Sequence, residues 1–198
     1  MTDAAEKRSR ARKMLRLGGT LFLVTAVTGL ILGVVQWATA DAIRATRDAE
    51  RAQALKGVMP DADGFRPLPA ASGAEPVVGA EEALKGSESV GYCITVLPKG
   101  YGGPVEIVVG LTPAGTVRAI RILKQSETPG LGAKAVEPFF SGQFENRDGL
   151  PLRVVKQQPA APDEVQAISG ATITSTAVVT GVNAAVDYWK RNIEGGVK

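Results

Sequence analysis

Residues 105–123 read VEIVVGLTPAGTVRAIRIL. Two β-rich runs, 105–111 and 116–123, flank Thr112-Pro113-Ala114-Gly115, which is the pattern of a β-hairpin. A further β-type run covers 92–97 and ends in the turn cluster Pro98-Lys99-Gly100-Tyr101-Gly102-Gly103-Pro104. Downstream, 135–140 reads as a short helix, 152–156 as a strand, and 164–168 as one more. Val178, Val182, Ala185, Val186 and Trp189 then recur at helical spacing, with Asn183, Asp187, Lys190 and Arg191 on other faces. That spacing predicts a helix from about 175 to 192, ended by Gly195-Gly196. Runs of strand with helices at either side give an α+β fold with a mainly antiparallel sheet.

The composition narrows the chemistry. Of 198 residues, 44% are apolar, 22% charged and 5% aromatic, a globular balance with few rings to stack on bases or sugars. The chain has no histidine. That excludes Ser-His-Asp and Cys-His catalysis, HExxH zinc sites and axial-His haem. The lone Cys93 cannot form an internal disulfide, a CxxC pair or a cysteine-ligated cluster, and reads as a small buried apolar residue. Redox or group-transfer chemistry must therefore come from an organic cofactor or a partner protein.

The net charge of +3 is unevenly spread. Residues 1–16 carry Lys7, Arg8, Arg10, Arg12, Lys13 and Arg16 against Asp3 and Glu6, which leaves the remaining 182 residues at −1. No general basic surface remains, so nucleic acid is not an expected partner. Behind this arm, residues 17–40 (LGGTLFLVTAVTGLILGVVQWATA) are 24 in number and uncharged, enough to span a hydrocarbon layer ~30 Å thick. Trp37 suits the far interface, and the basic flank predicts a cytoplasmic N-terminus with residues 41–198 on the other side. A cleavable signal peptide is the rival, because Ala38-Thr39-Ala40 has the A-x-A form, but its apolar region would be ~7–15 residues. The third alternative is a buried core helix of a soluble protein.

Residues 41–60 read as a helical stalk ended by Gly57 and Pro60. Residues 61–88 mix Gly, Pro, Ala and acids with little periodicity and read as a loosely structured connection, leaving 89–198 as the folded domain.

Two segments outside the regular elements carry chemistry. The first is Ser169-Gly170-Ala171-Thr172-Ile173-Thr174-Ser175, between a short strand and the last helix. Its plain reading is a strand-to-helix turn with Thr172, Thr174 or Ser175 as N-cap. The same geometry, with small residues before a helix start, also favours a phosphate. SGATITS followed by an apolar helix resembles the flavin-attachment motif of the FMN-binding domain in the G subunit of the Rnf electron-transport complex and in the related C subunit of the sodium-translocating NADH:quinone reductase. The resemblance implies FMN joined to Thr172 by a phosphoester bond, made by a separate flavin transferase that uses FAD. Ser169, Gly170, Ala171 and Thr174 would then belong to the cofactor site.

The second segment is Ser126-Glu127-Thr128-Pro129-Gly130-Leu131-Gly132-Ala133-Lys134. Blandly it is a turn, and its GxGxxA match is weak because Pro129 replaces a strand end and no βαβ pattern surrounds it. ETPGLG resembles the loop beside the flavin in the same family, which implies that Glu127, Thr128, Gly130, Leu131 and Gly132 line the isoalloxazine or ribityl site. Two positions depart from the pattern: Gln125 and Gln166 stand where members often have His and Asp. Tyr92, Tyr101, Phe139 and Phe140 are expected in the core, and Lys99, Lys124 and Lys134 in solvent.

The resemblance implies a single-pass component of a bacterial inner-membrane Rnf-type complex that links ferredoxin and NAD oxidoreduction to ion movement, with a periplasmic FMN domain that relays electrons. Its implied partners are the other membrane subunits, with Gly29 and Gly33 allowing close helix approach. Two alternatives stay open. One is the quinone-reductase C subunit or a free-standing flavin-carrying respiratory protein. The other is a membrane-anchored binding module in which SGATITS is only a helix cap.

Overall fold

Residues 17–40 and the flanking segments are all compatible with helix, and nothing in them breaks the backbone ladder. Helix α1 accordingly runs unbroken from Asp3 to Val58, with the predicted stalk as its continuation. The computed structural model describes residues 3–69, 75–148 and 151–194, and divides into two compact units, Met1–Ala49 and Glu50–Lys198. Within α1, the stretch Arg16–Val58 contains one segment long and apolar enough to cross a membrane, with mean hydropathy 2.1 and none of it buried. That exposure removes the reading as a soluble core helix.

In the second unit, β1 (Gly64–Pro67), β2 (Val77–Lys85), β3 (Glu88–Val96), β4 (Glu106–Leu111) and β5 (Val117–Lys124) form a sheet in chain order. Every neighbouring pair is antiparallel. The hairpin read from 105–123 is β4–β5. The reading of 61–88 as loosely structured is corrected, because it contains the two strands β1 and β2; residues 70–74 of that stretch lie outside the described residues. The folded unit therefore begins well before residue 89. The signal was weak because β2 (VVGAEEALK) is built largely from small and charged residues rather than the β-branched ones that mark a strand. Its acids are partnered from neighbouring elements, Glu81 by Arg51 of α1 and Glu82 by Arg66 of β1.

Alternation along the strands buries both faces of the sheet. Ile94, Val96, Ile107, Val109 and Leu111 face one way, into a core completed by Val178, Val182, Ala185, Val186 and Trp189 of α3 (Thr172–Asn192). Cys93 and Val108 face the other way, where Ala54, Leu55 and Val58 of the last turns of α1 cover them together with Met59 and Ala62. Glu81, paired in register with Cys93, points to that same side and accepts from Arg51 Nη2 at 2.8 Å.

Between β5 and α3 the chain is more irregular. The short helix expected at 135–140 is a 3-10 turn, Gly132–Val136, followed by the one-turn helix α2 (Pro138–Ser141). Phe140 and Phe144 are fully buried and meet edge to face at 5.5 Å. Strands β6 (Arg153–Val155) and β7 (Glu164–Gln166) pair in parallel as a separate small sheet. Helix α3 starts three residues earlier than the apolar spacing indicated, and Gly195-Gly196 lie outside the described residues.

Because the end of α1 and the residue that follows it are core rather than free stalk, Met59→Ala should cost about 2–5 kcal/mol. Met14→Ala, at a position 74% exposed, should leave stability within about 0.5 kcal/mol. Denaturant unfolding of the detergent-solubilised chain, followed by tryptophan fluorescence, checks both.

Candidate functional site

The turn from β7 into α3 is shaped from within. Gly170 takes φ +75°, and Ala171 N–H donates to Ile168 O at 2.9 Å. Ala171 is the N-cap of α3 and makes no side-chain cap bond. Buried Ser175 does the bracing: its Oγ accepts from Ile168 N–H at 3.0 Å and donates to Ala171 O at 3.0 Å. The expectation that Thr172, Thr174 or Ser175 caps the helix therefore fails. Thr172 is the first helical residue and is exposed. Its hydroxyl makes no hydrogen bond to the protein among the described residues.

The loop from 126 to 134 is organised around a carboxylate. Glu127 is 6% exposed. One oxygen accepts from Gly102 N–H at 2.9 Å, and the other from the Thr174 hydroxyl at 2.5 Å, in the range of charge-assisted O–H···O⁻ bonds. Glu127 N–H in turn donates to Gln125 Oε1 at 2.6 Å. Gly132 is required here by space. A Cβ at that position would lie 2.5 Å from Thr174 Oγ1 and 2.7 Å from Glu127 Oε2. Gly102 fits in the same way, since a Cβ there would meet Ser126 O at 2.1 Å. Two loops and the first turn of α3 thus converge on one buried acid.

Above this junction lies a cleft of about 620 Å³. The structure brings into its walls Glu127, Thr128, Leu131 and Gly132 from the one motif, and Gly170, Ala171, Thr172 and Thr174 from the other. Ser169 and Gly130, also named from the sequence, do not line it. Two residues that sequence reasoning missed do: Tyr101 and Ile173. Tyr101, 71% exposed, sits in a glycine-rich turn too short to bury it, and Ile173 falls off the apolar stripe of α3; both signals were present in the sequence. The core expectation holds for Phe140 and fails for Tyr101 and for Phe139, which is 56% exposed. Tyr92 is half-buried and packs against the core. Lys99, Lys124 and Lys134 are exposed, as expected. Gln166 is exposed, and its backbone is held by the side chain of Gln143.

On its other side Thr172 borders a second, more apolar groove of about 760 Å³ between α3 and the Pro76–Val78 and Leu97–Lys99 segments. Thr172, Thr176 and Thr180 line it at four-residue spacing, which places them on one helix face.

The chemistry of the first cleft fits a flavin nucleotide. It offers an exposed, unengaged hydroxyl, aliphatic and aromatic faces from Leu131, Ile173 and Tyr101, and room kept by small residues: a Cβ on Gly170 would lie 3.1 Å from Leu131 Cδ2. Residues 100–187 match the FMN-binding domain family, and residues 1–58 match the RnfG N-terminal region. The chain is 34% identical over 167 residues to the G subunit of the proton-translocating ferredoxin:NAD(+) oxidoreductase complex of Clostridium ljungdahlii, covering 84% of this chain and 86% of that one. It belongs to the G-subunit family of ion-translocating oxidoreductase complexes. The family also includes the G subunit of the Na(+)-translocating ferredoxin:NAD(+) oxidoreductase complex of Acetobacterium woodii, 33% identical over 88% of this chain and 91% of that one. The G subunit of the ion-translocating oxidoreductase complex of Pseudomonas aeruginosa is 32% identical over 97% of this chain and 94% of that one.

Cys93 takes no part in the site. It is fully buried, and burial, then the negative charge of Glu81, pushes its thiol up to about 12. The reactive thiolate is therefore scarce at ordinary pH. At pH 8 iodoacetamide should leave the folded chain unmodified and alkylate it in denaturant, as read by intact mass. Separately, Gly132→Ala should force Thr174 and Glu127 apart and lower stability by about 1–3 kcal/mol, measured by thermal melting beside wild type.

Proposed function

We propose that this chain is the electron-relay component of a membrane-bound, Rnf-type ferredoxin:NAD oxidoreductase that moves ions, and that it carries FMN covalently on Thr172 through a phosphoester bond. As a member of the G-subunit family with an FMN-binding domain, it is an electron-transfer component of such a complex. The observation that carries the finer reading is the Thr172 hydroxyl, exposed, unbonded and set on the rim of a cleft formed by both motif loops.

Each neighbouring group has a task in this reading. A threonine hydroxyl is not acidic, so a flavin transferase supplies the base that activates it. Thr172 Oγ then bonds to phosphorus as the pyrophosphate linkage of FAD breaks, AMP leaves, and the hydroxyl proton passes to the transferase. Gly170 and Ala171 keep the approach open. The first backbone N–H groups of α3 would hold the phosphodiester, whose negative charge a helix N-terminus favours by about 0.3–1 kcal/mol. Leu131, Ile173 and Tyr101, which line the cleft, would offer apolar surface to the ring, and Thr128 would serve its polar edge. FMN itself supplies reversible electron transfer. Thr174 is a poor alternative acceptor, because it is buried and already bonded to Glu127.

The apolar segment of α1 is the membrane anchor in this proposal. The basic residues before it lie in the cytoplasm and the FMN domain lies on the opposite side of a bacterial inner membrane. Gly29 and Gly33, with open space around both, admit the helix of another subunit.

When the full chain is co-produced with an FAD-dependent flavin transferase, it should gain the mass of one FMN less one water and fluoresce in a denaturing gel. Thr172→Ala should abolish both signals, and Thr176→Ala, one turn further along α3, should keep them. Retention of the adduct in Thr172→Ala would move the attachment elsewhere.

A further inference from the structure

The acid that joins the two loops to the start of α3 also lies in the cleft wall. Its two partners, Gly102 N–H and the Thr174 hydroxyl, are neutral dipoles. They hold the carboxylate in place and leave its charge uncompensated. Among the described residues no lysine or arginine pairs with Glu127, although Asp61, Glu81, Glu82, Asp163 and Glu164 are each met by an arginine. Lys99, Lys124 and Lys134, the cations of the adjoining segments, are exposed to solvent. A charge buried away from water and counterions acts on a neighbour across a cleft far more strongly than a surface charge does.

We propose that Glu127 is a potential-setting residue: its buried, unpaired carboxylate holds down the reduction potential of the flavin carried in the cleft. The inference rests on the reading that FMN sits at Thr172. Each electron added makes the flavin more negative unless a proton accompanies it, so a fixed negative charge in the wall disfavours the reduced form. Removing that charge makes reduction easier. A flavin held at a lower potential is the stronger electron donor. It also explains why the acid is seated on neutral donors, since an arginine there would cancel the effect.

The test is a reductive titration of the flavin-loaded full chain with dithionite and mediator dyes, followed by flavin absorbance. At the wild-type midpoint, Glu127→Gln should raise the ratio of reduced to oxidised flavin about tenfold, equivalent to about 59 mV for a one-electron couple. Glu127→Asp, which keeps the charge, should stay within about twofold, or about 18 mV on the same scale. An unchanged ratio in Glu127→Gln overturns the proposal. So does an equal rise in Glu127→Asp, which would assign the effect to packing. If Glu127→Gln does not fold, Thr174→Val keeps the charge and removes one of the two dipoles that screen it; a lowered ratio supports the proposal and an unchanged or raised one overturns it. A wild-type chain without in-gel flavin fluorescence overturns the attachment reading and this inference together, and is recognised before any titration.

Discussion

Once the carboxylate of Glu127 is buried it has to find donors, and it finds them in two segments far away in the chain, at Gly102 and Thr174. An unmet acid in that position would cost several kcal/mol, so the two loops and the start of α3 are drawn to one point. The glycines follow from the same constraint. At Gly132 and Gly102 any side chain would occupy space already taken by Thr174, by Glu127 itself or by the Ser126 carbonyl. The candidate cleft is the outer surface of this junction, and its shape depends on a hydrogen-bonded acid beneath it.

A comparable economy operates on the other side of the sheet. The helix that carries the apolar segment does not end at a flexible joint. Its last turns supply Ala54, Leu55 and Val58 to a small core with Cys93 and Val108, and Arg51 reaches Glu81 on β2. The sheet is therefore covered on both faces, by α3 and by the end of α1. This explains why strands β3 and β4 carry apolar residues on both sides rather than alternating with polar ones.

At the start of α3 the division of labour between neighbouring hydroxyls matters most. Ser175 braces the turn, Thr174 satisfies Glu127, and Ala171 occupies the cap position. Thr172 is thereby released from any structural duty among the described residues. Its exposed hydroxyl borders two cavities, within the stretch 100–187 that matches the FMN-binding domain family.

Patterns that repeat along the chain were legible from the sequence alone. They include the uncharged membrane-length stretch behind a basic arm, the β4–β5 hairpin, the apolar stripe of α3, and the two motifs that hold most of the cleft. These depend on local periodicity or on short spacings, which a linear reading records directly. Only the tertiary structure decided that β1 and β2 belong to the sheet, since small and charged residues become strand-like there through Arg51 and Arg66 supplied from elsewhere. It also decided which of three adjacent hydroxyls stays free, and that Tyr101 faces a cleft rather than a core. Each of these outcomes turns on which group a side chain meets across a long separation in sequence, and that is settled only when the chain closes on itself.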